Sequence, residues 1–251
     1  MTKQNNKKSM IKSADKIRQE LRDKQHRIWI KFSWKLLAEN FKDRKEFNEF
    51  VASLNPDNKN KFIWLSAFWY IMGNKPKMAY KQTQKIIVSF SVIESLYEED
   101  EYQDFFTWLN TKRLKEKTKE FNGDSEKILK ELQTEWKNKY GSSEKMRIFL
   151  RENLSERQRQ TLFNHFKIKK SGDEKFREIK NVDEFSECLI IIRNSFIHKA
   201  KVIDVFLDSK SIASSMLSRI SKNYIFNSPI NFEFIESIFK SGFVNYFKTH
   251  K

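Results

Sequence analysis

LIIIRNSFIHKAK, residues 189–201, begins as a core helix and then places an arginine, an asparagine and a histidine where burial is expected. Polar groups in such a setting need partners or a chemical task. Phe185, Leu189, Ile192 and Phe196 recur at spacings of 4, 3 and 4, which predicts a helix with that stripe turned to the core. Asn181 is placed to cap it and Glu184 to complete a capping box, while Lys199 and Lys201 suit the negative end of the helix dipole.

At about 100° per residue, Asn194 and His198 fall within about 40° of each other on the opposite side, with Glu187 between them and Ile191 about 20° beyond His198. An apolar residue beside a polar pair, on a face turned from the core, predicts a covering surface. A second copy of the same helix across a two-fold axis supplies one, so a homodimer is expected. Arg193 precedes His198 by five residues, about 140° around the helix and about 7.5 Å along it. It reaches the imidazole only by curling toward a groove at the helix edge, and in a dimer two such sets converge on one cleft.

The rest of the chain supports an all-α fold. Five glycines and three prolines in 251 residues leave little punctuation for tight hairpins. The first 27 residues hold nine Lys/Arg against three Asp/Glu, with Met10, Ala14, Ile17 and Leu21 at helical spacing. This predicts a basic arm docking one narrow stripe, whose charges serve either a nucleic-acid contact or plain solvation. Core helices are expected between Trp29 and Leu54, and after a turn at residues 55–58, where Asp57 is placed to cap a helix carrying Trp64, Phe68 and Ile71 on one face, a stripe that fits the core before it fits a base-stacking platform. A long helix over 78–98 carries Ile86, Phe90, Ile93 and Tyr97. Asp100 is placed to cap another, with Phe105, Phe106, Trp108 and Leu109, that continues into charged residues 111–120 and breaks at 122–124. Helices are further expected over 125–139, 143–152, 155–168 (capped by Ser155), 209–223 and 231–248, with a surface loop at Gly172. The organisation expected is an N-terminal basic and aromatic helical extension, 1–77, followed by a helical domain, 78–251.

Composition bounds the partners. One cysteine, Cys188, allows no internal disulfide framework and suits a reducing cytosol. The N-terminus has no signal-like apolar run, and the most apolar window, residues 62–73, is too short for a bilayer, so a soluble cytoplasmic protein without a membrane partner is expected. A formal net charge of +16 points to an acidic partner, nucleic acid first, although 37 lysines against 12 arginines also fit a merely solvated surface. The four histidines show no metal-ligand spacing, and no metal or other cofactor is expected.

An arginine, an asparagine and a histidine together suit RNA cleavage. RNA carries its own nucleophile, the 2′-OH. His198 can move a proton near neutral pH, Arg193 can meet charge developing on the phosphate, and Asn194 can hold the imidazole or a phosphate oxygen. Arg193-Asn194-Ser195-Phe196-Ile197-His198 resembles the R-x(4–6)-H motif of HEPN domains, in the form with a polar residue after the arginine. The resemblance implies an all-helical, commonly dimeric bundle and a metal-independent endoribonuclease of a bacterial toxin–antitoxin, abortive-infection or CRISPR-linked defence module, with an antitoxin or defence-system protein as partner. It implies Arg193 and His198 as the catalytic pair and Asn194 as their support.

The motif helix carries the resemblance, while residues 1–77 match no family pattern. With 12 arginines and 4 histidines, about 0.2 matches at one fixed spacing arise by chance. Arg159 and His165 form a second match, without the asparagine or the apolar run. Glu94 fits either a partner for Arg193 or a surface carboxylate. Lys199 fits a phosphate contact or a plain helix C-terminus, and Cys188 fits core filling before it fits a nucleophile. Two other functions stay open, a non-catalytic nucleic-acid-binding helical protein and a HEPN-type interaction subunit.

Overall fold

The computed structural model describes residues 2–74, 81–98, 104–110, 124–170, 174–199, 217–219, 224–227 and 232–250. The chain divides into two compact units, residues 1–75 with 247–251, and residues 76–246. Both are mainly helical, as expected for an all-α fold.

In the first unit α1 (Thr2–Leu37) runs for 36 residues and is followed by a short 3-10 turn (Ala38–Asn40), α2 (Arg44–Ser53) and α3 (Pro56–Gly73). Asp43 accepts from the Glu46 amide at 2.9 Å and Glu46 answers by accepting from the Lys42 amide at 2.6 Å, so α2 starts on a reciprocal cap. α3 is capped by Asn55, not Asp57: the Asn55 side chain accepts from the Asn58 amide at 2.9 Å and Pro56 opens the first turn with its φ already set. Where α1 meets α3, two fully buried serines allow close approach. Ser66 donates to Ser33 at 2.7 Å and Ser33 donates to the Trp29 carbonyl at 2.9 Å. Phe47 and Phe62 are wholly buried, and Phe247 stands edge-on to Phe62 with ring centroids 5.2 Å apart. Residues 18–25 of α1 are exposed on all sides, and Leu21 is 61% exposed. Among the described residues Leu21 therefore does not dock into a stripe as expected. The side chains of Met10, Ala14 and Ile17 lie outside the described residues.

The second unit contains α4 (Lys81–Leu96), α5 (Phe105–Leu109), α6 (Ser125–Tyr140), α7 (Ser142–Glu152), α8 (Glu156–His165), α9 (Val182–Lys199) and most of α10 (Phe232–Thr249). Among its described residues Phe90, Phe149, Phe166, Phe185, Phe239 and Phe243 are fully buried. α10 approaches α7 closely at Gly242, where a Cβ would stand 2.6 Å from Phe149 Cζ and 2.7 Å from Leu154 Cδ2. Asp104, not Asp100, caps α5 by accepting from the amides of Phe106 and Thr107, both at 3.0 Å. Asp100 and the expected charged continuation over 111–120 lie outside the described residues.

Four short antiparallel strands add to the helical reading: β1 (Lys167–Lys170), β2 (Arg177–Glu178), β3 (Leu217–Arg219) and β4 (Tyr224–Asn227), in the order β2-β1-β4-β3. The helix expected to reach 168 stops at His165 because the chain there changes period. Phe166 and Ile168 are fully buried while Lys167 between them is exposed, the alternation of a strand with one face on the core. Ile168 pairs with Arg177 on one side and Phe226 on the other. The helix expected over 209–223 is likewise overturned at Leu217–Arg219, which pairs with Ile225–Asn227. Residues 209–216 and the Gly172 loop lie outside the described residues.

Candidate active site

α9 is held in place at its N-terminus before its polar segment begins. The Asn181 side chain accepts from the Glu184 amide at 2.9 Å, and Glu184 accepts from the Lys180 amide at 2.9 Å, so the cap forms with the glutamate reaching one residue further back than a standard capping box. Arg177 clasps the Glu184 carboxylate with two bonds of 2.9 and 2.5 Å, which holds that carboxyl below the usual carboxylate range. Asp183 takes Arg151 at 2.6 Å and lies 3.3 Å from Arg147, a negative first turn opposed by two arginines of α7.

Phe185 and Leu189 are buried on the inner stripe, as their spacing predicts, and Glu187 is exposed on the outer side. The side chains of Ile191, Ile192 and Phe196 lie outside the described residues. Cys188 is 3% exposed, and burial, reinforced by Glu184 and Glu187, pushes its thiol up to about 12. At neutral pH it is a small apolar filler rather than a nucleophile.

Arg193 lies near the middle of α9, where α4 passes it. Its Nη2 donates to Glu94 Oε2 at 3.1 Å and its Nη1 donates to Asn194 Oδ1 at 3.2 Å. The side chains of Arg193 and Glu94 keep only 20% and 15% of their accessible surface. Glu94 thus fixes the guanidinium from a second helix, and Asn194 steadies it from the same one. The pairing is incomplete. Glu94 Oε1 and Arg193 Nε are buried without a hydrogen-bond partner among the described residues, the kind of deficit that native structures accommodate mostly at functional sites or with water.

His198 lies five residues, about 1.4 turns, beyond Arg193 on α9; its side chain and that of Lys199 lie outside the described residues. The structure therefore brings together Arg193, Asn194 and Glu94, and puts His198 on the same helix, just over one turn away.

One turn beyond Glu94 is a polar knot that no sequence pattern announced. The Asn153 amide donates to the Tyr97 hydroxyl at 2.5 Å, the Asn245 amide to the Asn153 carbonyl at 3.0 Å, and the Tyr246 hydroxyl to the Leu96 carbonyl at 2.8 Å. Burial, with Glu152 and Tyr246 adding, raises the Tyr97 phenol far above its ordinary value, so it stays neutral and anchors the end of α4. Tyr97 and Tyr246 are separated by 149 positions, and no local pattern links them.

The competing match resolves differently. Arg159 Nη1 donates to the carbonyls of Arg151 and Leu154, both at 2.7 Å, and to Leu150 at 3.4 Å, while Nη2 and Nε bind Glu156 at 2.6 and 3.1 Å. These contacts satisfy the carbonyls at the end of α7 and leave the guanidinium little to offer a substrate. Among the described residues no three His, Cys, Asp or Glu side chains gather as a metal site, and no helix is long and apolar enough to cross a membrane. Comparison with protein-family models, with curated proteins and with solved structures finds no match to this chain.

Proposed function

We propose that the protein is a metal-independent endoribonuclease of the HEPN type, acting in a bacterial defence or toxin module. The observation that carries this is the fixed Arg193. A positioned guanidinium with an amide beside it, on a helix that presents His198 about 7.5 Å further along, supports charge stabilisation next to proton transfer. The 2′-OH of the substrate loses its proton and attacks the adjacent phosphorus. A pentavalent phosphorane develops negative charge opposite Arg193 and Asn194, and the 5′-oxygen leaves with a proton. His198 moves one of these protons, and in a homodimer the second copy's histidine moves the other. Glu94 positions Arg193, and Lys199 adds a cation at the phosphate. The partners are RNA, a second copy of the chain, and an antitoxin or defence-system protein. The setting is the cytoplasm.

A second function has its own observation. The Glu94 carboxylate cancels much of the Arg193 charge, as in a helix–helix tie of a non-catalytic RNA-binding or interaction subunit. Incubating the wild type and His198→Ala with total cellular RNA in EDTA separates the two. Cleavage by the wild type alone supports the enzyme, and intact RNA with both supports the tie.

A further inference from the structure

Trp64, Phe68 and Ile71 follow core spacing, yet the structure leaves Trp64 49% and Ile71 39% exposed on the outer face of α3, with Phe68 between them half-buried. The cause is that α3 is apolar all round. Ser66 and Tyr70 meet α1, Phe62 packs into the aromatic core of the first unit, Leu65 and Trp69 are buried, and a third apolar face remains. The Trp64 and Phe68 rings on it are nearly parallel, with centroids 5.7 Å apart and planes 13° apart.

Phe32 stacks on Tyr70 at 5.2 Å, which brings α1 alongside this end of α3, and Lys35 lies 5.8 Å over the same tyrosine ring. Lys24, Arg27, Lys31 and Lys35 form a row on one side of α1, spaced 3, 4 and 4 residues apart and about 16 Å long. All four are exposed, and among the described residues none is ion-paired. From 18 to 35, six basic residues stand against Glu20 and Asp23.

We propose that this face of the first unit binds single-stranded RNA, with Trp64 and Phe68 as a base-stacking platform and the row from Lys24 to Lys35 as the phosphate track. Stacked rings beside a line of cations are how single-stranded nucleic acid is held without sequence preference. A second copy is disfavoured as occupant because it sets one row of cations against another. An acidic amphipathic helix of a partner protein is the competing occupant. The choice of RNA over DNA rests on the ribonuclease reading, whereas the stacking and charge do not.

The test is a titration of full-length His198→Ala protein, which cannot consume the probe by the proposed chemistry, with a fluorescein-labelled 12-nucleotide oligouridylate at several salt concentrations. Trp64→Ala is expected to weaken binding about 10- to 100-fold, and Trp64→Phe to restore most of it, since stacking needs a ring. Glutamine at Lys24, Arg27, Lys31 and Lys35 is expected to flatten the slope of log K against log salt by about 0.7 for each phosphate left without its cation. Wild-type affinity in Trp64→Ala overturns the platform. Binding of a Leu/Glu amphipathic peptide that depends on Trp64 and is not displaced by oligouridylate assigns the face to a protein instead. RNA binding with these dependences, in a wild-type protein that cleaves nothing, defeats the ribonuclease proposal and leaves this one standing.

Discussion

Replacing Glu94 by glutamine keeps its shape and removes its charge, which isolates what the carboxylate does for Arg193. The pair sits at 3.1 Å with 15–20% of each side chain accessible. Unit charges about 4 Å apart attract by about 4 kcal/mol at an effective dielectric near 20, and most of that is offset by the cost of taking both out of water. Stranding one member of a fully buried pair costs about 3–5 kcal/mol. The accessible fifth of Arg193 lets its tip reach water, so Glu94→Gln is expected to cost about 2 kcal/mol, or about 4–8 °C in melting temperature for a unit of this size. Adding Arg193→Gln to it should recover part of the loss, because no stranded charge remains, giving a coupling energy of about 1–2 kcal/mol in the double-mutant cycle. RNA cleavage by Glu94→Gln, measured well below its melting point, should fall about 10- to 100-fold through misplacement of the guanidinium. Thermal and urea unfolding with a single-turnover assay read all three quantities. A stability change under about 0.5 kcal/mol shows that the pair does not form. Lost stability with unchanged cleavage shows that Glu94 ties helices together and positions nothing.

Arg159→Ala should lower stability by about 1–3 kcal/mol, since it exposes the unpaired carbonyls at the end of α7, while cleavage per folded molecule stays at the wild-type rate; a dead but folded variant refutes the assignment of Arg159 as a clamp. The depressed Glu184 carboxyl contributes stability above the ordinary glutamate range and loses it as pH falls through the lower, folded-state value. The melting-temperature gap between wild type and Glu184→Gln should therefore be full at pH 7 and shrink steadily below about pH 4, and a gap independent of pH excludes the ionic contribution. Light scattering should give a dimer at tens of micromolar that Ile191→Asp dissociates with loss of cleavage; an active strict monomer rules out a shared cleft.

The helical architecture is legible because its signals are local. Caps such as Ser155 and Asn181, and the inner stripe at Phe185 and Leu189, are set by neighbours within a turn or two. The strand at Lys167–Lys170 has a local signal too, the alternation from Phe166 to Lys169, obscured by the good helix start at Ser155 just before it. The exposure of Trp64 is not legible in the same way. A helix apolar on three sides does not disclose which side its neighbours leave bare; that depends on where α1 and the Phe62 cluster pack. At the site, Arg193 and Asn194 are visible from chain context, and Glu94 only as a carboxylate in an apolar helix. Their contact spans 99 residues, and no spacing rule encodes it. The Tyr97 and Asn153 knot is invisible for the same reason.

The central claim is that His198 and Arg193 act on the 2′-OH and its neighbouring phosphate. It is tested most directly on an end-labelled RNA containing one cleaved site, compared with the same strand carrying a single deoxyribose there, both in EDTA. The account predicts 2′,3′-cyclic phosphate and 5′-hydroxyl ends from the all-ribose strand. It predicts no cut at the deoxy position, and a rate about 10²–10⁴ lower with His198→Ala. Cleavage at the deoxyribose, 5′-phosphate ends or full activity in His198→Ala would contradict it.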